Sequence, residues 1–386
     1  MLHKLLSVLT SLRLTVILLA LALVLVFIGT LAQVNLGLWV VQKQYFGSFF
    51  FLWTPPVTNL KIPFPGGYLI GGLLLVNLIA AHIKRFELSK KKFGIFLVHA
   101  GLILLLVGQL LTQIYQVESF MTIEEGSQKN YSEGHASELA VIDVTDPDTD
   151  TVVAIPQQLL ARRKEITHAS LPFKINVHSF YENADPKIDS GKLAYEPRPF
   201  QVAMNKRNIP VANLEIVTDE GSKGTFAVSN WQTERNLIQI MAESFARSFN
   251  SELLRPGRFE FKGRTYEVAM RPVRYYKPFT IQLLDFTHDR YAGTEIPKNF
   301  SSRIRLIREQ TGENREVLIY MNNPLRYWGE TYYQGGFEPG DTVSILQVVR
   351  NPGWLTPYIA CALVSAGLLV QFLYHLIVFA RKRRTA

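Results

Sequence analysis

The chain has 386 residues, a formal charge of +9, 48% hydrophobic residues and one cysteine. It is too long and too apolar to be a disordered tail or a nucleic-acid arm. With Cys361 alone, it has no internal disulfide, C-x-x-C thiol pair, cysteine zinc site or C-x-x-C-H haem attachment, so redox or haem chemistry here must use other ligands. A mean hydropathy of +0.09 averages very unequal parts, because the apolar residues are bunched into a few runs, as in a membrane protein.

Four runs approach the length of about 20 apolar residues that a helix needs to cross a bilayer core. They are Leu14 to Ala32, Gly67 to Ile83, Phe93 to Leu111 and Trp354 to Ala380; the second is the shortest and carries Asn77 and His82. Lys4 and Arg13 precede the first run, Lys84, Arg85, Lys90, Lys91 and Lys92 follow the second, and Arg381, Lys382, Arg383 and Arg384 close the fourth. The positive-inside rule then predicts a multi-pass protein of an inner, cytoplasmic membrane with both termini cytoplasmic. Residues 33–66 and 115–353 fall on the outer, periplasmic side. The basic excess is mostly a topology signal, and no nucleic-acid partner is expected. Thr30-Leu31-Ala32 is faintly like a signal cleavage site, but the apolar stretch is longer than a signal core and three more spans follow, so a retained anchor is expected.

The outer loop from Asn35 to Gly66 concentrates Trp39, Tyr45, Phe46, Phe49, Phe50, Phe51 and Trp53 before Pro55-Pro56. Aromatics beside a span suit the headgroup interface and contact with membrane lipid. A haem- or lipid-facing platform is the alternative reading.

Three parts follow: residues 1–114 with three spans, 115–353 as an outer domain, and 354–386 with the last span and a basic tail. The fold class predicted is an integral membrane protein of four transmembrane α-helices, with a large, mostly-β extracytoplasmic domain between the third and fourth. In that domain β-like runs recur at Leu139–Val144, Phe173–Phe180, Val211–Val217, Phe259–Val268, Phe279–Leu284, Arg303–Ile307, Val317–Met321 and Val343–Val349. Turn signals at Asp146-Pro147, Arg255-Pro256-Gly257 and Thr311-Gly312 separate them, which predicts an antiparallel sandwich or open barrel. Asn236 to Asn250 has helical spacing and is expected to pack on the sheet. No catalytic motif stands out, and His135, His168, His178 and His288 are scattered as surface or satisfied core residues.

His82, His99 and His375 differ from these, because an ionisable side chain inside a span is costly and points to function. His99 lies six residues after Phe93, about 9 Å of helix rise, and His375 lies six before Arg381, which predicts similar depths for the two. Neutral imidazole ligates haem iron, so such residues are candidate haem ligands. Snorkelling to the interface is the structural alternative, above all for His82 beside Lys84 and Arg85. Gln371, one turn before His375, can orient its ring. Gly94, Gly101 and Gly108 form a small-residue stripe that admits another helix, with His99 nearly opposite.

The first span from Leu12-Arg13-Leu14-Thr15 through Gly29-Thr30-Leu31, the third from Val98-His99-Ala100-Gly101-Leu102 through Val107-Gly108, and its exit Phe120-Met121-Thr122-Ile123-Glu124-Glu125-Gly126 together resemble the ResB (CcsB) family of System II cytochrome c biogenesis. Met321-Asn322-Asn323-Pro324-Leu325, Tyr332-Tyr333-Gln334-Gly335-Gly336-Phe337 and Asn351-Pro352-Gly353 are similar to that family's closing motifs. The resemblance implies a non-autonomous subunit of a cytochrome c haem lyase (synthase) complex that takes haem b from the cytoplasmic side, carries it outward and supports its attachment to apocytochrome c. It implies a haem-ligating transmembrane histidine, for which His99 is the best match. It also implies a CcsA/ResC-type membrane partner, an apocytochrome c bearing C-x-x-C-H, and a separate thioredoxin-like thiol reductant. Two other readings stand beside it: a cytochrome b-like electron-transfer subunit using His99 and His375, and a receptor signalling through its outer domain.

Overall fold

The computed structural model describes residues 7–55, 60–85, 89, 91–189, 191–201, 208–245, 249–293, 297–338, 340 and 342–384. Lys4, Pro56 and Lys90 lie outside the described residues. The chain divides into two compact units, one of helices (through Val117 and from Arg350) and one of strands (Glu118 to Val349).

In the helical unit, α1 (Leu12–Leu36), α2 (Gly67–Arg85) and α3 (Phe93–Tyr115) precede the strand-rich block in the chain. After it, and after a shorter α4 (Arg235–Phe245) inside that block, comes α5 (Thr356–Arg384). The four long helices are long and apolar enough to cross a membrane. Asn77 in α2 is not a flaw in a span. It is 2% exposed, its Oδ1 accepts from Thr15 Oγ1 at 2.7 Å, and its Nδ2 donates to the carbonyl of Leu9 at 2.6 Å. The amide thus gives a partner to the Leu9 carbonyl just before α1 and ties α2 to the start of α1.

The aromatic loop has a fold of its own. β1 (Phe50–Trp53) and β2 (Ile62–Pro65) form a hairpin whose inward residues Phe51, Trp53 and Phe64 pack on Leu25, Ile28, Tyr45 and Ile70. Strand alternation sends Phe50 and Leu52 outward, where they are exposed. Tyr45, Phe46, Phe51 and Trp53 therefore belong to a small core, and Phe49 and Phe50 are exposed.

The second unit is mostly antiparallel β. Its strands are β3 (Val117–Glu124), β4 (Gln128–Asp143), β5 (Thr151–Pro156), β6 (Glu165–Ile166), β7 (Lys174–Tyr181), β8 (Ala184–Asp189), β9 (Lys192–Pro197), β10 (Val211–Thr218) and β11 (Gly221–Ser229). There follow β12 (Gly257–Phe261), β13 (Arg264–Arg290), β14 (Pro297–Arg308), β15 (Glu313–Tyr320), β16 (Leu325–Tyr327), β17 (Glu330–Phe337) and β18 (Val343–Arg350). The large sheet runs β15-β14-β13-β4-β3-β18-β17-β16, with β12 on β13 and β5 on β4; a smaller one runs β11-β10-β7-β6.

The long β13 belongs to two cores. Its first part, with β4, β5 and β12, faces the smaller sheet across Leu139, Val141, Ile175, Leu214, Ile216 and Val268, which is a sandwich. Its second part joins a sheet that curls around Met121, Ile281, Leu283, Ile304, Tyr332 and Leu346. There Ser302 donates to Gln334 at 2.6 Å, and the Tyr327 hydroxyl donates to Glu313, bringing β14 and β15 against β17 and β16. The two forms expected as alternatives, sandwich and open barrel, occur side by side.

Two local expectations are corrected. Phe259–Val268 is not one strand but a hairpin, because Lys262 and Gly263 both take positive φ (51° and 73°) and reverse the chain. The amphipathic helix is α4, and it packs on Ile209, Trp231 and the β8–β9 hairpin through Leu237 and Met241. Residues 246–248 of the expected helix are outside the described residues, and Asn250 instead caps a short turn over Ser251–Leu254.

Candidate functional site: a histidine pair on neighbouring helices

α2 and α3 are consecutive and joined by residues 86–92. In such an antiparallel hairpin, the fourth residue from the end of one helix stands level with the fourth from the start of the other. His82 accordingly lies against Phe96, with ring centroids 5.4 Å apart, and against His99 one turn on, at 5.7 Å. Both imidazoles are half-buried.

His99 is held in one tautomer. Its Nδ1 is 2.8 Å from the carbonyl oxygen of Ile95, and since a carbonyl only accepts, Nδ1 carries the proton and Nε2 keeps the lone pair. A backbone carbonyl on one ring nitrogen is the usual way a metal-ligating histidine is oriented and made more basic. The donor set fits haem iron, which takes neutral imidazole nitrogens. Among the described residues no group of three or more His, Cys, Asp or Glu is arranged to hold a metal ion.

His375 is elsewhere. Gln371 lies against it as expected, Nε2 to Nε2 at 2.8 Å, so the amide hydrogen occupies the lone pair of that nitrogen. The small-residue stripe fixes the height. A Cβ on Gly94 would strike Gly367 and Gln371 of α5, one on Gly101 would strike Ala360 and Val364, and one on Gly108 would strike Thr356. In that register His99 is level with Val364, and His375 lies 11 residues further along α5, about 16 Å away along the axis. Equal depth for His99 and His375 is therefore corrected: counting inward from the basic flanks overlooked that α5 runs on past the start of α3. His375 is exposed on its own helix.

The Asn351-Pro352-Gly353 motif secures the other end of this helix pair. Asn351 Nδ2 donates to Thr112 Oγ1 at 3.1 Å, and its Oδ1 accepts from the Gly353 amide at 2.8 Å.

In the strand unit the four scattered histidines have ordinary structural contacts. His135 packs edge-on to Phe120, His288 against Phe337, His178 lies 3.3 Å from Glu215, and His168 accepts from the Ser170 amide. A polar cleft of about 580 Å³ is lined by Lys129, Tyr131, Glu133, Arg235, Arg274 and Glu338 among others. Its charges largely answer one another, Lys129 and Arg274 on Glu133 and Arg235 on Glu124 and Glu338.

What the residue pattern did not single out is His82 as the neighbour of His99. The signal was present in the short link between the two spans, which fixes their register.

A sequence model described as the ResB-like family matches residues 262–345. That segment runs from the β12–β13 turn into β18 and contains the Met321 to Leu325 and Tyr332 to Phe337 motifs. Over 304 residues the chain is 24% identical to Protein NrfI of Wolinella succinogenes, an alignment covering 78% of this chain and 29% of that protein. The chain thus spans less than a third of the length of this relative. Both matches bear out the resemblance that the motifs carried.

Proposed function

We propose that this ResB-like chain serves cytochrome c biogenesis as one subunit of a membrane complex that moves haem b across the bilayer and helps attach it to apocytochrome c. The family match and the NrfI likeness support the biogenesis role. The observation that carries the haem reading is the His82–His99 ring contact, with the His99 proton fixed on Nδ1.

In this reading haem is cargo, and its iron supplies two axial positions for imidazole nitrogen. His99 offers Nε2, oriented by the Ile95 carbonyl. His82 offers the second imidazole, with Phe96 packed against it as a wall. Apolar α2 and α3 side chains exclude water, and the glycine stripe on the opposite face of α3 leaves the histidine face open while α5 packs behind. The biogenesis partner is a CcsA/ResC-type membrane subunit in an inner membrane, the strand unit lies on the outer side with the apocytochrome, and a thioredoxin-like protein keeps the apocytochrome thiols reduced. The cytochrome b-like alternative drew on His99 and His375 at one depth, and the helix register separates them.

The test is the optical spectrum of the detergent-purified chain, expressed with and without the partner, in wild type, His99→Ala, His82→Ala and His375→Ala. A two-imidazole haem spectrum is expected in wild type and His375→Ala. It should be lost in His99→Ala and His82→Ala and restored by added imidazole. Haem absent from every form, or lost only in His375→Ala, would sink the reading.

A further inference from the structure

The His82–His99 pair lies far from the middle of its helices. On α3, His99 is six residues from the start and sixteen from the end, about 9 Å and about 24 Å of rise. On α2, His82 is three residues from the end and fifteen from the start, about 4.5 Å and about 22 Å. Residues 67–83 and 93–115 contain no Lys, Arg, Asp or Glu. Residues 84–92, just beyond the short side, hold Lys84, Arg85, Lys90, Lys91 and Lys92 against the single acid Glu87. The pair thus stands one to two turns from a cationic link and about four turns from the opposite helix ends.

That asymmetry decides how a cargo with one acidic edge can be seated. Haem b carries both propionates on one side of the porphyrin and its vinyl groups on the other. An ionised carboxylate in hydrocarbon is costly unless it finds a charge partner or water. A propionate edge turned toward Tyr115 would meet no cation of α2 or α3 along those four turns. Turned toward residues 84–92, it meets several.

Helix geometry singles out one of them. Lys92 precedes His99 by seven residues, a rotation of only about 20° and a rise of about 10 Å. Its carbonyl accepts from the Phe96 amide at 3.0 Å, so it continues α3, and it is exposed. Lys92 therefore stands on the histidine face, while Gly94, packed on α5, is turned about 140° from His99. Lys91 is turned about 80° from His99, and Lys84 about 160° from His82 on α2.

We propose that Lys92 is a propionate anchor for the cargo of the histidine pair, an inference that rests on the haem reading above. Its ammonium pairs with a propionate carboxylate while His82 and His99 face the iron. The acidic edge is then directed to residues 84–92, and the vinyl edge, where cytochrome c cysteines attach, toward the Tyr115 end of α3.

The test titrates haem and haem dimethyl ester, in which both propionates are capped, into the detergent-purified full chain and follows the two-imidazole spectrum. Lys92→Gln is expected to weaken haem binding about tenfold, the scale of one charge-assisted hydrogen bond, and to leave the affinity for the diester unchanged. Lys92→Arg, which keeps the charge, is expected to bind haem as wild type does, and Lys84→Gln to alter neither affinity. The proposal is overturned if Lys92→Gln weakens both ligands equally, since the lysine then serves the fold, or weakens neither. It is overturned as well if Lys84→Gln matches Lys92→Gln, since the link then acts only through its diffuse charge. Failure of the haem reading itself looks different: wild type would then give no two-imidazole spectrum with haem or with the diester, and both inferences fall.

Discussion

Phe96 lies against His82 with ring centroids 5.4 Å apart and the rings tilted by 32°, on the same helix and one turn before the His99 that His82 also touches. The wall and one candidate ligand are thus carried by α3 and the other by α2. Phe96→Ala leaves both imidazoles in place but removes the surface that fixes the His82 ring. It is expected to lower haem affinity by roughly tenfold, in the range found when groups behind a metal ligand are removed. Haem titration with unchanged helix content checks this, and unaltered affinity would show that Phe96 only fills space.

Arg271 and Glu138 form an ion pair at 3.0 Å with side chains only 6% and 7% exposed, on paired strands β13 and β4. Removing one partner leaves a buried charge unanswered, so Arg271→Ala is expected to cost about 3–5 kcal/mol. Replacing both by Met and Leu removes the unanswered charge and is expected to cost far less. Denaturant melts of the two variants decide, and equal losses would mean that packing rather than charge dominates.

How much of this was legible beforehand depended on the range of the interaction. The four spans, most long strands and the Gly94–Gly101–Gly108 face are local patterns, readable from apolar runs and spacing. Strands such as β8, β9, β16 and β17 were not, because Asp, Lys, Gly and Tyr there follow no clean alternation and pairing across the sheet decides them. The Lys262-Gly263 turn was hidden inside a run that looked like one strand. At the candidate site His99 was legible from its cost in a span, but its partnership with His82 required the register of two helices. Depth counted from basic flanks misplaced His375, since it ignores where a helix continues beyond its neighbour.

Gly101 has Val364 Cγ2 and the Ala360 carbonyl within 2.7 and 2.8 Å of where a Cβ would stand. The neighbours include backbone, which cannot swing aside. Gly101→Leu is expected to force α3 and α5 apart at a cost of about 1–3 kcal/mol or more, while leaving the opposite, histidine-bearing face chemically intact. Cysteine crosslinking between the two helices should fall in the variant. Undiminished crosslinking would refute the packing argument.

Asn77→Leu keeps the volume and apolarity a span favours yet is expected to destabilise the α1–α2 pair by about 1–2 kcal/mol, the scale of interhelical hydrogen bonds in membranes. It removes the bonds to Thr15, Leu9 and Ser11 together. Steric trapping or detergent unfolding measures the change. A more stable variant would show that lipid-phase apolarity outweighs these bonds.

The strand unit is expected to lose stability in acid, with a sign that its carboxylates determine. Asp143 is held below the usual carboxylate range first by the Thr145 hydroxyl and also by Arg264. Asp219 is held down by Lys262, Glu215 by Ser222, and Glu313 by the Tyr327 hydroxyl and Arg315. In each case the unfolded chain binds a proton more readily than the folded one, so protonation favours unfolding. Their contribution is complete above the unfolded values of about 4 and is lost as pH falls through the lower folded values. The thermal midpoint of the strand unit should therefore not vary on account of these groups between pH 8 and about 5, where their contribution is fully present, and should decline below about 4. Asp143→Asn should shallow the acid limb of a midpoint-against-pH series while lowering the neutral plateau. A variant that only lowers the plateau, with the acid limb unchanged, would exclude Asp143 as one of the groups responsible.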